Sequence, residues 1–316
     1  MKDCGAIAGQ PAPHQLRDVR GWKISSLTLG TLQFGGNRGA QDDQSSIRAV
    51  HAALDAGITV IDTADSYGAG HSEEIIGQAL GHRRTSVLIA TKFDLKPEIQ
   101  PSRSTLRQLL TDSLRRLRTD WIDLYQVHNV PREAMRSGEL FEHLAVFRDE
   151  GLLRAIGITA GPGEGHGAEC IMAARHPHVE SVQAAYSLLS QSLAPVTFPY
   201  CASRGVAIFA REPLAQGLLT DALEDDAVLR MGRRSRWTTE QIDRAVVRVR
   251  SFDRIRSPGE SRAEFALRFA LSNGQVTSIV VGMRSADEVA SNIRAVERAP
   301  LAPDVLQEIV DIYDSD

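Results

Sequence analysis

Four residues of this 316-residue chain are of types that can handle a proton together: Asp62, Tyr67, Lys92 and His128. Asp62, Lys92 and His128 each close an apolar, strand-like stretch (Thr59–Asp62, Val87–Lys92 and Ile122–His128), and Tyr67 follows Asp62 in the loop Asp62-Thr63-Ala64-Asp65-Ser66-Tyr67-Gly68. Singly, each has an ordinary alternative: Asp62 as a turn or cap residue, Lys92 as a snorkelling lysine, His128 as a satisfied core histidine. Together, three successive strands deliver a carboxylate, an ammonium and an imidazole to one rim, and the loop adds a phenol. A free phenol, with a pKa of ~10, exchanges protons poorly near neutrality. A neighbouring ammonium lowers that pKa, and a carboxylate on its far side keeps it charged and oriented. A rim histidine can hydrogen-bond the same substrate oxygen. Such a set protonates a carbonyl oxygen as hydride reaches its carbon, or runs the reverse on an alcohol. No side chain supplies the hydride, so a cofactor is implied.

The elements that must position this set recur regularly. Strand-like runs occur at Leu27–Thr31, Thr59–Asp62, Val87–Lys92, Ile122–His128, Ala155–Thr159, Val182–Tyr186, Val206–Ala210 and Ser278–Gly282. They are continuously apolar, as expected for strands covered on both faces. Helical patterns lie between them. One carries Leu106, Leu109, Leu110, Leu114 and Leu117 behind Ser102 or Ser104 as candidate N-caps; another begins at Ser72; a third carries Leu140, Phe141, Leu144 and Phe147 and stops at Gly151. Eight strand–helix repeats predict an α/β fold of the (β/α)8 TIM barrel type. An open doubly wound sheet is the competitor, but no Gly-x-Gly-x-x-Gly follows the first strand. Three additions are expected on this single barrel domain spanning 1–316: a tail over 1–14, a hairpin over 15–29 that suits a plug over the barrel bottom, and an insertion over 217–261 between strands seven and eight. The insertion is rich in arginine, from Arg230 to Arg256, and reads as a solvated helical segment balanced by acids. A sharper alternative folds part of it toward an anionic ligand.

Composition excludes several classes. The 36 Lys+Arg against 40 Asp+Glu, a formal charge of −4, give no nucleic-acid footprint. No apolar run approaches the ~20 residues of a membrane span, the N-terminus lacks the apolar core of a signal peptide, and Cys4, Cys170 and Cys201 form no Cys-x-x-Cys pair. The reading is a soluble, cytoplasmic protein acting on a small molecule, with no membrane or nucleic-acid partner and no metal. His176-Pro177-His178 reads as a surface turn without a third ligand, and the glycine-rich 161–167 loop as a flexible segment above the pocket.

The run Gly57-Ile58-Thr59-Val60-Ile61-Asp62-Thr63-Ala64-Asp65-Ser66-Tyr67-Gly68, followed by Gly70 and Ser72-Glu73, resembles the aldo-keto reductase signature. Ala90-Thr91-Lys92, Asp123 to His128, Gly157-Ile158-Thr159, Pro213 to Leu219 and Gly282-Met283-Arg284 through Asn292 resemble the family's other landmarks in the same order, over about residues 15–300. The resemblance implies a barrel that binds extended NADPH and performs carbonyl/alcohol redox, with Tyr67 as general acid/base, Lys92 and Asp62 tuning it, and His128 orienting the carbonyl. It places Gln183 on the nicotinamide amide, Gly30 and Thr31 beside the cofactor, Tyr186, Pro213, Leu214, Gly217 and Gly282 along it, Arg284 and Ser285 on the 2′-phosphate, and Asn292 on adenine. Phe34, Phe93 and Asn129 join Tyr67 and His128 as substrate-side candidates.

Four positions depart from the family pattern. Thr159-Ala160 stands for Ser-Asn, which keeps a hydroxyl and loses an amide. Arg211 replaces an aromatic that stacks on nicotinamide; it either faces a phosphate or carboxylate, or biases the site toward reduced cofactor. Glu288 stands where relatives often carry Arg or Gln, so its carboxylate either repels a 2′-phosphate or accepts from adenine. NADPH is expected ahead of NADH. The alternatives are an NAD-linked sugar or alcohol dehydrogenase working oxidatively, or a non-catalytic nicotinamide-nucleotide-binding subunit.

Overall fold

The computed structural model describes residues 16–19, 21–36, 42–95, 102–130, 132–161, 166–224 and 237–315. The tail over 1–14, residues 162–165 of the glycine-rich loop, and Arg230, Arg233, Arg234 and Arg236 of the insertion lie outside them.

All eight strand-like runs form strands, and they close into one parallel barrel: β3 (Leu27–Gly30), β4 (Val60–Asp62), β5 (Leu88–Asp94), β6 (Ile122–His128), β7 (Leu153–Thr159), β8 (Val179–Ala185), β9 (Ala207–Arg211) and β10 (Ser278–Gly282), with β10 returning to pair with β3. A short antiparallel hairpin precedes it, β1 (Arg17–Val19) and β2 (Trp22–Ile24). The hairpin is narrower than the 15–29 expected, because Leu27–Leu29 already belong to the barrel. Its place agrees with the plug. Ile24 packs with Val60, Ala90, Leu124, Ala155, Ala207, Phe209 and Val280, inward-facing residues toward the strand starts, and Val19 and Trp22 lie against the same cluster.

Because side chains alternate along a strand, the residues that seal the floor determine which ones reach the opposite rim. Counting by twos from Val60, Ala90 and Leu124 gives Asp62, Lys92 and Gln126, then Asp94 and His128. The other set, including Ile61, Ile89, Val127 and Ile158, packs outward into the helical layer.

That layer comprises α1 (Asp43–Asp55), α2 (His71–Leu80), α3 (Arg103–Leu117), α4 (Arg132–Ser137), α5 (Glu139–Asp149), α6 (Gly167–Arg175), α7 (Thr197–Ser203), α8 (Thr239–Phe252), α9 (Arg262–Ser272), α10 (Ala286–Val296) and α11 (Pro303–Asp314). Caps explain several starts. Ser102 Oγ accepts from Thr105 N at 3.2 Å, and Thr238 with Gln241 and Ser261 with Glu264 form capping boxes. Helix α5 ends before Gly151, whose φ of +81° suits the residue after a helix. Within the insertion, α8 buries Ile242, Ala245, Val249 and Phe252, while Arg244 pairs with Glu240 at 3.6 Å and Arg256 with Asp253 at 3.4 Å. The Arg244–Glu240 pair lies on the exposed helix surface, as in a solvated segment, whereas Arg256 and Asp253 lie past the end of α8 and are largely covered.

Candidate active site

The catalytic candidates converge at the C-terminal rim. Lys92 Nζ is buried at the end of β5, donating to Asp62 Oδ1 at 2.6 Å and to the Thr63 carbonyl at 2.7 Å, and it lies 3.5 Å from the Tyr67 hydroxyl. The second oxygen of Asp62 accepts from Gln183 Nε2 on β8 at 2.7 Å. The Tyr67 and His128 rings stand edge to face with centroids 6.4 Å apart. His128 Nδ1 lies 3.0 Å from Asp94 Oδ1.

Tyr67 is held by backbone. Gly35, in the 3-10 turn Leu32–Gly35 after β3, lies against the Tyr67–Gly68 peptide so closely that a Cβ on it would collide with Gly68 N and the Tyr67 carbonyl carbon. A Cβ on Gly68, whose φ is +63°, would strike Gly35 in return. Ser72 Oγ also bonds Thr31 Oγ1 at 2.9 Å, which ties α2 to the end of β3.

Electrostatics departs from the sequence expectation in one respect. The Tyr67 phenol is pushed above its ordinary value: burial is the largest cause and Asp62 adds to it, while Lys92 and Arg211 pull the other way. The ammonium's charge is largely answered by Asp62, so it does not offset the loss of water around a phenolate. For Lys92, burial favours the neutral amine, but Asp62 and Tyr67 together outweigh it and hold the ammonium above its usual value.

Behind this set lies a second ionised group. Glu73 is buried at the start of α2, with Thr91 Oγ1 donating to Oε1 at 2.6 Å and Arg116 Nε donating to Oε2 at 2.6 Å. Asp65, two residues before Tyr67, has a buried Oδ1 without a hydrogen-bond partner. Its carboxyl is pushed up to about 7, first by burial, then by Glu73 and Asp94, against Arg116. A raised acid binds more protons in the fold than in the unfolded chain, so stability falls as pH rises from 3.8 to about 7 and stays lowest above that window. Asp65→Asn is expected to add about 1–2 kcal/mol of stability at pH 8, less at pH 5. Urea unfolding at both values checks it; an equal effect at the two would contradict the linkage.

The mouth also has features suited to a polar ligand. Gly30 and Gly282 are register partners at the ends of β3 and β10, and a Cβ on Gly282 would come within 2.7 Å of Gln33 Oε1. Gln33 Oε1, Gln216 Oε1 and both amide atoms of Gln126 are buried without partners, although buried polar atoms are normally hydrogen-bonded. The segment after β9 carries three left-handed non-glycine residues, Glu212, Ala215 and Gln216, with φ of +57°, +45° and +58°. Such strain concentrates at ligand sites. Pro213, Leu214 and Gly217 run through the same segment. These open amides and side-chain-free strand ends fit a dinucleotide.

Other sequence candidates are distributed unevenly. Thr159 is at the rim, its Oγ1 accepting from Asn129 N at 3.0 Å, and Asn129 itself is exposed with φ +50°. Arg211 donates to the carbonyls of Ala160 and Gly161 at 3.3 and 2.8 Å and to Glu212 at 2.6 Å, so it does face a carboxylate, that of its own neighbour. Ser285 caps α10 by accepting from Glu288 N at 3.3 Å; Glu288 in turn accepts from Arg284 Nη2 at 2.7 Å and Nε at 3.0 Å. Asn292 lies further along that helix. Three aromatic candidates are not brought to the mouth. Phe93, between inward Lys92 and Asp94, stacks outward on Tyr125 at 4.8 Å. Tyr186, one residue past Ala185, packs against Phe198 and Phe269. Phe34 is buried in the outer core. Sequence reasoning missed Asp94, Gln126 and Gln33. Asp94 and Gln126 were findable by alternation: Asp94 lies two residues beyond Lys92, and Gln126 two before His128.

A family model for the aldo/keto reductase family matches residues 26–314. The chain belongs to the aldo/keto reductase family. As such it is an NAD(P)H-dependent oxidoreductase on a TIM barrel. It is 31% identical to the uncharacterized oxidoreductase YrpG of Bacillus subtilis, over 93% of each chain. It is 28% identical to the NADH-specific methylglyoxal reductase of Escherichia coli, over 86% of this aldo/keto reductase and 90% of that one. Among solved structures, the glycerol dehydrogenase AKR11B4 from Gluconobacter oxydans superposes with a TM-score of 0.79 at 27% identity, covering 96% and 95% of the two chains. No described helix is long and apolar enough to cross a membrane.

Proposed function

We propose that this aldo/keto reductase reduces a small aldehyde, ketone or sugar-like carbonyl with NADPH, and that Tyr67 is the general acid. The observation that carries the reading is Lys92 Nζ, fixed between Asp62 at 2.6 Å and the Tyr67 hydroxyl at 3.5 Å. When bound, the nicotinamide supplies hydride to the carbonyl carbon. Tyr67 donates its hydroxyl proton to the carbonyl oxygen, and Lys92 meets the phenolate left behind. The raised pKa suits this direction, because it keeps the phenol protonated at neutral pH. His128 orients the oxygen, and Asn129 lies beside it on the substrate side. Gln183 and Thr159 hold the carboxamide, Gly30, Thr31, Pro213, Leu214, Gly217 and Gly282 line the cofactor's path, and Arg284, Ser285 and Asn292 take its adenosine end.

The test is a panel of aldehydes, ketones and aldoses with each reduced cofactor, and of the matching alcohols with each oxidised one, followed by nicotinamide absorbance. Reduction with NADPH is expected to dominate. No turnover of either cofactor on any substrate would overturn the reading. Oxidation of polyols is the second reading, favoured by the likeness to the glycerol dehydrogenase structure.

Glu288 holds Arg284 where a 2′-phosphate would compete for it. Glu288→Gln is expected to shift preference toward NADPH over NADH by about fivefold, the equivalent of about 1 kcal/mol for one exposed charge. Dissociation constants for the two reduced cofactors measure it; an unchanged ratio would place the 2′-phosphate elsewhere.

A further inference from the structure

Asp94 stands at the tip of β5, two residues beyond Lys92, and belongs to the same inward-facing set. It is the cross-strand partner of His128 on β6. Its Oδ1 lies 3.0 Å from His128 Nδ1, and the His128 ring in turn stands edge to face with that of Tyr67. The carboxylate is therefore beside the reacting position and one step nearer solvent than Lys92. Its side chain is 36% exposed, against 1% for Lys92 and 4% for Asp62.

No hydrogen bond of regular geometry ties Asp94 to the ring, since His128 Nδ1 is buried without a partner. A carboxylate offers about four acceptor sites, so Asp94 keeps capacity for a donor arriving from the mouth. The cations at this rim are committed elsewhere, Lys92 to Asp62 and Arg211 to Glu212 and two backbone carbonyls. The carboxyl is held below its ordinary value, first by the neighbouring His128, against burial; it is ionised at neutral pH and can only accept.

An apolar substrate finds few partners here. Every phenylalanine, and every tyrosine but Tyr67, packs in the helical layer, against the floor or beside a surface arginine. Around Tyr67 the described rim instead carries Ser66, Asp94, His128, Asn129 and Thr159. An apolar chain laid over Asp94 would strip water from an ionised carboxylate, and a hydroxyl donor replaces that water with a charge-assisted hydrogen bond.

We propose that Asp94 is a specificity-determining residue whose carboxylate accepts a hydrogen bond from a substrate hydroxyl on a carbon near the carbonyl, so that the site selects neutral hydroxyaldehydes and hydroxyketones over plain or anionic carbonyls. This rests on the reading of Tyr67 and His128 as the groups that face the reacting oxygen. The same charge repels a phosphate or carboxylate on the substrate, because no uncommitted cation among the described rim residues answers it.

The test compares kcat/KM for propanal, glyceraldehyde and glyceraldehyde 3-phosphate in the wild type, Asp94→Leu and Asp94→Asn, with urea unfolding to show that each variant keeps the fold. The glyceraldehyde-to-propanal ratio is expected to fall about tenfold in Asp94→Leu, the scale of one hydrogen bond to a charged group, and by less in Asp94→Asn, which keeps an acceptor oxygen. The ratio of the phosphate ester to glyceraldehyde is expected to rise in both. Either ratio unmoved in Asp94→Leu overturns the proposal while leaving the carbonyl reductase reading intact. A chain that turns over no carbonyl or alcohol overturns the proposed function, and the Asp94 contact is then read by saturation-transfer NMR on the protein with oxidised cofactor and a mixture of glycerol and 1-propanol. Preferential saturation of glycerol is expected in the wild type and its loss in Asp94→Leu; no preference in the wild type, or one unchanged in the variant, overturns the proposal.

Discussion

Lys92→Met is expected to lower the unfolding free energy by about 3–5 kcal/mol, the usual cost of removing one partner of a buried ion pair, and to remove turnover as well. Lys92 and Asp62 side chains are only 1% and 4% exposed, so water cannot solvate the carboxylate that remains. Gln183 still donates to it, but an amide hydrogen bond does not neutralise a charge. The double variant Asp62→Asn/Lys92→Met removes both charges and is expected to recover most of the stability while staying inactive. Urea unfolding of the two proteins reads the first effect and steady-state kinetics the second. If Lys92→Met unfolds at the wild-type urea concentration, the pair is not the buried contact described.

Tyr67→Phe separates chemistry from stability. The phenol makes a long hydrogen bond to Lys92, which retains Asp62 and the Thr63 carbonyl, so the fold is expected to change little. The proton donor is gone. Positioned acids contribute about 10²–10⁴ in rate, and a loss of that size in kcat is expected, with cofactor affinity kept. Turnover is compared by stopped-flow and binding by nicotinamide fluorescence. Full turnover in Tyr67→Phe would end the assignment of Tyr67; joint loss of binding and turnover would make it a cofactor-holding residue instead.

Much of this is legible in the sequence. Buried parallel strands are apolar on both faces, so the barrel strands stand out as continuous runs, and a charged or imidazole side chain at such a run's end is conspicuous. Where the run begins with polar residues the reading falls short. Strand β8 starts at Val179, three residues before the apolar segment at Val182, because backbone pairing with β7 decides its start. Phe93 and Tyr186 show a different limit. The family resemblance places them at the site, but the pleat sends alternate residues to opposite faces and puts both rings into the helical layer. The Gln183–Asp62 bond joins residues 121 apart in the chain, and no local pattern announces it. Likewise the net direction for Tyr67 depends on how completely water is excluded, which motif spacing does not encode.

The mutual fit of Gly35 and Gly68 has a consequence for how such a scaffold diversifies. With no room for a side chain on either, the first two rim loops behave as one interlocked part, and neither can be lengthened or swapped without dislodging Tyr67. New substrate preferences are therefore expected to arise by exchange of the later rim segments, those after β7 and β9, which Arg211 joins through side-chain bonds that one substitution can release.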